Sequence, residues 1–125
     1  MATTKRRSWL TLLVVVGLAA AATTFWQRHR SSTDLQVVAR LAGPGDLFLY
    51  SATWCGWCTR AKAQLDAQGV RYGVCEIDLD AACKARFNAL AARLGRSGTP
   101  IVLVRGEPQL GFDALQVRAR LERPS

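Results

Sequence analysis

Leu47-Phe48-Leu49-Tyr50-Ser51-Ala52-Thr53-Trp54-Cys55-Gly56-Trp57-Cys58 begins as an apolar run of strand length and ends on two cysteines spaced C-x-x-C. Leu47 to Tyr50 reads as a strand, and Thr53 to Cys58 supplies turn chemistry and the start of a helix. Beyond it Cys58, Ala61 and Leu65 recur at helical spacing until Gly69 stops the pattern. The cysteine pair therefore sits where a strand hands over to a helix. The first turn of a helix has unpaired N–H groups and a positive dipole end, so a thiol placed there ionises more readily than a free one. Only a thiolate attacks a disulfide. On this reading Cys55, at the helix mouth, is the nucleophile, and Cys58, one turn further in, resolves the mixed disulfide. The competing reading of the pair is a structural disulfide or two inert thiols.

Downstream, Val70, Tyr72 and Val74 alternate with Arg71 and Gly73, which predicts a second strand running to Ile77. Asp80 can cap the next helix, where Cys83, Phe87, Leu90 and Leu94 form an apolar stripe that ends at Gly95. Thr99-Pro100 leads into a strand from Ile101 to Val104, and Gly106-Glu107-Pro108 is expected to turn the chain into a short strand at Gln109 to Gly111. Asp113 to Leu121 complete the pattern as a helix with Ala114, Val117 and Leu121 on one side. The order is β-α-β-α-β-β-α. Strands joined through a helix are expected to be parallel and strands joined by a tight turn antiparallel. That gives an α/β domain, a four-stranded mixed sheet with flanking helices. Phe48 and Tyr50 belong to its core.

The chain has 125 residues, half of them hydrophobic and 21% charged. It can bury one core, is too short for two ordinary domains, and is too apolar for intrinsic disorder. Its net charge of +8 is uneven: residues 1–45 hold six basic groups and one acid, residues 46–125 eleven basic groups and eight acids. Within the second part Arg93, Arg96, Arg105, Arg118, Arg120 and Arg123 are dispersed and read as solvated faces, so no nucleic-acid partner is expected.

The N-terminal excess flanks an uncharged stretch of twenty residues, Ser8 to Gln27, between Lys5-Arg6-Arg7 and Arg28-His29-Arg30. Twenty helical residues rise roughly 30 Å, about one hydrocarbon core. Trp9 and Trp26 stand near its ends, where indoles suit the headgroup region. The stretch reads as one transmembrane helix that anchors the protein through residues 8–27. A cleaved signal peptide is the competing reading, with Leu10 to Leu18 as its apolar region and Ala20-Ala21-Ala22 as a cleavage site, although apolarity persists to Trp26. Both readings put residues 31–125 outside the cytoplasm. For a bacterial source that means a single-pass inner-membrane protein whose domain faces the periplasm. Ser31-Ser32-Thr33-Asp34 is polar and Gly43-Pro44-Gly45 is a breaker. The chain thus divides into a basic flank and anchor at 1–30, a tether at 31–45 and a folded domain at 46–125.

Residues 46–125 resemble a glutaredoxin of the thioredoxin-fold superfamily. Leu49-Tyr50-Ser51 before the C-x-x-C is similar to the first glutaredoxin strand, and Gly98-Thr99-Pro100 to the loop with the cis-proline. Gly106, followed by Leu110-Gly111-Phe112-Asp113, is similar to the late glycine and aspartate motif. The resemblance implies a thioredoxin fold and a cis Thr99-Pro100 bond facing Cys55, with the Thr99 backbone pairing a bound peptide or glutathione. Cis is inexpensive only before proline. At Asp113 the family uses a helix N-terminus to bind the glutathione carboxylate, and simple capping of the last helix is the alternative. Three departures bear on substrate. Ala52 stands where glutaredoxins usually carry a Lys that holds glutathione, and the usual glycine pair is reduced to Leu110-Gly111. Trp54 and Gly56-Trp57 are closer to the thioredoxin W-C-G-x-C than to the glutaredoxin Pro-Tyr. These weaken the case for glutathione binding and point to protein disulfides or dithiols as substrates. No bound cofactor is expected, glutathione is at most a co-substrate, and an electron donor or acceptor is required that the sequence does not identify. Trp54 and Trp57 serve either as an apolar lip for substrate chains or as packing residues.

Cys75, in the second strand, and Cys83, on the apolar stripe, face one strand–helix interface. They form a structural disulfide, two buried thiols or a second redox pair, decided by a Cα separation that the sequence does not supply. No metal site is expected, because C-x₂-C, sixteen residues, then C-x₇-C lacks the close second pair of a zinc ribbon. Thr59 stands where covalent haem attachment needs His, and His29, the single histidine, lies outside the domain, which excludes a Cys-His or Ser-His-Asp hydrolase. The expected function is that of a membrane-tethered thiol-disulfide oxidoreductase, on balance a reductant. The alternative is a non-catalytic module that binds peptides beside Pro100.

Overall fold

The computed structural model describes residues 2–124. In chain order its elements are α1 (Ala2–Leu41), β1 (Leu47–Ser51), α2 (Gly56–Ala67), β2 (Gly73–Glu76), α3 (Ala81–Leu94), β3 (Ile101–Val104), β4 (Glu107–Leu110) and α4 (Ala114–Glu122). The four strands form one sheet in the order β2-β1-β3-β4. β1 is parallel to β2, with Leu49 opposite Val74 and Ser51 opposite Glu76. β3 runs antiparallel to β1 and β4 antiparallel to β3.

β1 is apolar at nearly every position because it is central and covered on both faces. Leu47 and Leu49 point into a core shared with Ala61 and Leu65 of α2, Val117 and Leu121 of α4, and Leu35 and Val38 of α1. Tyr50 points the other way, into a core with Cys83 and Phe87 of α3 and Ile101 of β3, against which Phe48 packs. Cys83, Phe87, Leu90 and Leu94 all reach this second core, so the expected stripe is the buried face of α3. Gly69 and Gly95 end α2 and α3 at φ 65° and 67°, a backbone that other residues adopt only with strain.

Four expectations are corrected. The segment read as a tether at 31–45, with the domain starting at Asp46, is helical to Leu41, and the compact second unit begins at Asp34. Leu35, Val38 and Ala42 are spaced three and four residues apart and are buried in its core, while Asp34 pairs with Arg118 of α4 at 2.9 Å. The second strand is shorter than 70–77, because the Val70 N–H caps α2 by donating to the Leu65 carbonyl at 3.0 Å and the chain must round that helix end first. Glu107 and Pro108 are strand residues rather than turn residues. The hairpin turn is the two-residue Arg105-Gly106, and Pro108 is tolerated because β4 is an edge strand. Finally, β2 and β3 are joined through α3 yet run in opposite directions. α3 packs on β2, β3 and β4 and so lies across the strands, and β3 starts at the same end of the sheet where β2 stops.

The first unit, as far as Thr33, is described by itself. It is helical from Ala2 and exposes its large apolar side chains from Trp9 to Trp26. Over 18 residues its mean hydropathy reaches 1.9, long and apolar enough to cross a membrane.

Candidate active site

Cys55 is the N-cap of α2, with an extended backbone (φ −86°, ψ 109°), and its Sγ accepts the Cys58 N–H at 3.2 Å. An otherwise unpaired amide of the first turn thus already points at this sulfur, an arrangement that stabilises a thiolate. The same Sγ lies 3.7 Å from the Thr99 carbonyl oxygen, and the Thr99-Pro100 bond is cis, as the family resemblance implied. Cys55 and Cys58 are disulfide-bonded, with Cα atoms 5.3 Å apart. Cys55 is 5% exposed and Cys58 not at all, packed with Ala52 and Ile77, so chemistry can enter only at the Cys55 sulfur. Ala52 is itself fully buried in this cluster, where the family resemblance had placed a ligand-holding lysine.

The loop before the pair is fixed from a distance. Thr53 donates its backbone N–H to Asp78 Oδ1 at 3.0 Å and its hydroxyl to Asp78 Oδ2, across 25 residues of sequence. The Thr53 hydroxyl, and then its N–H, hold the Asp78 carboxyl below the usual carboxylate range. Lys62, one turn beyond Cys58 on α2, pairs with Glu76 at the end of β2 at 2.8 Å.

A groove of about 510 Å³ runs beside the pair. Of the residues singled out from the sequence, Trp57, Thr99, Pro100, Gly111 and Phe112 line it together, whereas Trp54 and Asp113 do not. Asp113 N-caps α4 and accepts the amides of Leu115 at 3.0 Å and Gln116 at 3.4 Å. It thus makes the helix cap that the sequence left open beside a site for a ligand carboxylate. Trp54 and Trp57 are 71% and 70% exposed, which removes the packing alternative for both. The groove also contains Arg60 and Gln64, which the sequence reading missed, with Ala61 of the α2 stripe and Gly98 and Leu110 of the two resembling motifs. Trp57, Arg60 and Gln64 are three and four residues apart on α2, and that spacing was the available signal. The Arg60 guanidinium lies 5.0 Å from the Trp57 ring centroid and brings a positive charge to the groove wall.

Cys75 and Cys83 are joined as a second disulfide, with Cα atoms 6.1 Å apart. It ties the edge strand β2 to the first turn of α3, inside the second core.

The glutaredoxin family model matches residues 47–108. The chain is 28% identical over 78 residues to glutaredoxin-1 of Rhizophagus irregularis, covering 62% of this chain and 77% of that protein. To a glutaredoxin of Ricinus communis it is 31% identical over 74 residues, covering 59% and 72%. Among solved structures, a buckwheat glutaredoxin–glutathione complex is 29% identical with a TM-score of 0.52, over 74% of this chain and 84% of that one. The matched region contains the C-x-x-C, the cis-proline loop and three of the four strands in full, with the last strand begun. The chain belongs to the glutaredoxin family, a thiol-disulfide oxidoreductase of thioredoxin fold with the C-x-x-C pair Cys55 and Cys58.

Proposed function

We propose that this chain is a membrane-tethered reductant of protein disulfides, working outside the cytoplasm, with Cys55 as attacking thiolate and Cys58 as resolver. The observation that carries the assignment of roles is the Cys58 N–H directed at Cys55 Sγ, beside the Thr99 carbonyl, while Cys58 is buried. In the dithiol state the Cys55 thiolate attacks one sulfur of a substrate disulfide R–S–S–R′. A bond forms between Cys55 Sγ and that sulfur, the substrate S–S bond breaks, and the electron pair leaves with R′–S⁻. Cys58 then loses its proton and attacks Cys55 Sγ, releasing R–S⁻. Two electrons pass to the substrate, which takes up two protons, and the protein is left as the Cys55–Cys58 disulfide. An external dithiol, or two molecules of glutathione, returns it to the start. Arg60 gives the groove a cation for a ligand carboxylate, while the buried Ala52 offers none.

The apolar, fully exposed stretch of α1 supports the tether. The Cys75–Cys83 bond, placed in the second core, supports an oxidising compartment, the periplasm for a bacterial source. A redox titration of the full chain in detergent, read by alkylation of Cys55 and Cys58, tests the direction of electron flow. A potential near about −270 mV is expected, and one near about −120 mV would make the protein a disulfide donor instead. In intact cells a membrane-impermeant maleimide should label an Arg123→Cys thiol without lysis. Labelling only after lysis would place the domain in the cytoplasm.

A further inference from the structure

Leu79 is 75% exposed, more than any other large apolar residue among those described, and no packing role accounts for it. It lies in the turn between β2 and α3, a place where polar residues cost nothing, between two acids that are both engaged: Asp78 by Thr53 and Asp80 as the N-cap of α3. The turn is held firmly. The Leu79 and Asp80 amides both donate to the Glu76 carbonyl, at 3.2 and 3.1 Å, and the Ile77 amide donates to the Ser51 carbonyl at 2.8 Å. The two bonds from Thr53 to Asp78 then place this turn against the loop that carries Trp54 into Cys55. Leu79 and Trp54 are thus each one residue away from a bonded pair, both are exposed, and neither lines the groove of Trp57 and Pro100.

A disulfide can reach Cys55 Sγ only by laying its own chain over the surface around that sulfur. A polypeptide substrate has residues on both sides of its cysteine, and the groove accommodates one flank. We infer that Trp54 and Leu79 form a second contact surface, outside the groove, for an apolar side chain on the other flank of a polypeptide disulfide. Leu79 is then a specificity-determining residue, and disulfides in apolar, non-native segments are preferred over small ones. The inference rests on the proposed role of Cys55 and adds the substrate class to it.

The test uses the full chain in lipid nanodiscs and three disulfides: two peptides that differ only in Phe or Ser on either side of one cysteine, and cystine. Leu79→Ser should lower kcat/KM for the Phe peptide about fivefold, the effect of losing a partly buried apolar contact, and change the Ser peptide less than about twofold. Cystine turnover should be unchanged, which also shows the variant is folded. Leu79→Met keeps the apolar volume and should retain the preference. Equal losses on all three substrates, or no loss on the Phe peptide, would overturn the inference while leaving the proposed function standing. Failure of the unsubstituted chain on all three would overturn that function, and the inference with it.

Discussion

The Cys75–Cys83 disulfide closes a loop with a sequence separation of 8 and fixes an edge strand to a helix. Its contribution can be worked from chain entropy. Closing a loop of that length in the denatured chain removes about 8 cal/mol/K, or about 2.5 kcal/mol at room temperature. For a domain of this size that corresponds to about 10–20 °C in Tm. The clean perturbation removes no core atom. In a Cys55→Ser, Cys58→Ser background the chain keeps only the Cys75–Cys83 pair, so the same polypeptide is compared oxidised and reduced by urea denaturation in detergent. The oxidised form should be more stable by about 2.5 kcal/mol with little change in the native fold. A difference below about 1 kcal/mol would refute the reasoning, because it would mean the reduced, denatured chain gains no freedom between residues 75 and 83.

Tyr72 donates its hydroxyl to Asp66 at 2.8 Å, and burial, followed by this bond and the Asp66 charge, pushes its pKa up to about 12 from an ordinary 10.0. Because the folded value is the higher one, the stabilisation is fully present below pH 10 and is lost as pH climbs toward 12. Asp66→Asn should move that titration back toward 10, read as tyrosinate absorbance. At Gly73, which faces Phe48 across the β1–β2 pair, an added Cβ would come within 2.5 Å of the ring, so Gly73→Ala should cost about 1–3 kcal/mol as the ring is displaced. Val38→Ala should destabilise the domain by roughly 2 kcal/mol in chemical denaturation, whereas a true tether position would be silent.

The strand–turn–helix that carries the cysteines was legible because its signals are local. The apolar run, the C-x-x-C and the helical spacing to Leu65 all lie within twenty residues, and the Thr99-Pro100 loop was recognised by its resemblance. What escaped depends on contacts between distant segments. No local pattern announces that Thr53 is held by Asp78, and although Arg60 and Gln64 share a helix face with Trp57, nothing in that spacing says that the face meets Pro100 rather than solvent. Leu35, Val38 and Ala42 had helical spacing, but Ser31 to Asp34 and the Gly43-Pro44-Gly45 breaker around them suggested a linker. The reversed direction of β3 follows from α3 lying across the sheet, a packing outcome that the order of elements does not encode.

The central claim, that Cys55 is the attacking sulfur and Cys58 the resolver, is tested most directly by trapping. The full-length Cys58→Ser chain, reduced at Cys55 and mixed with a peptide disulfide, should accumulate one peptide per chain. Mass spectrometry should locate that peptide on Cys55, released by added thiol. A Cys55→Ser chain should trap none, since the Cys58 sulfur is buried. Trapping on Cys58 in the Cys55→Ser chain, or none on Cys55 in the Cys58→Ser chain, would contradict the account.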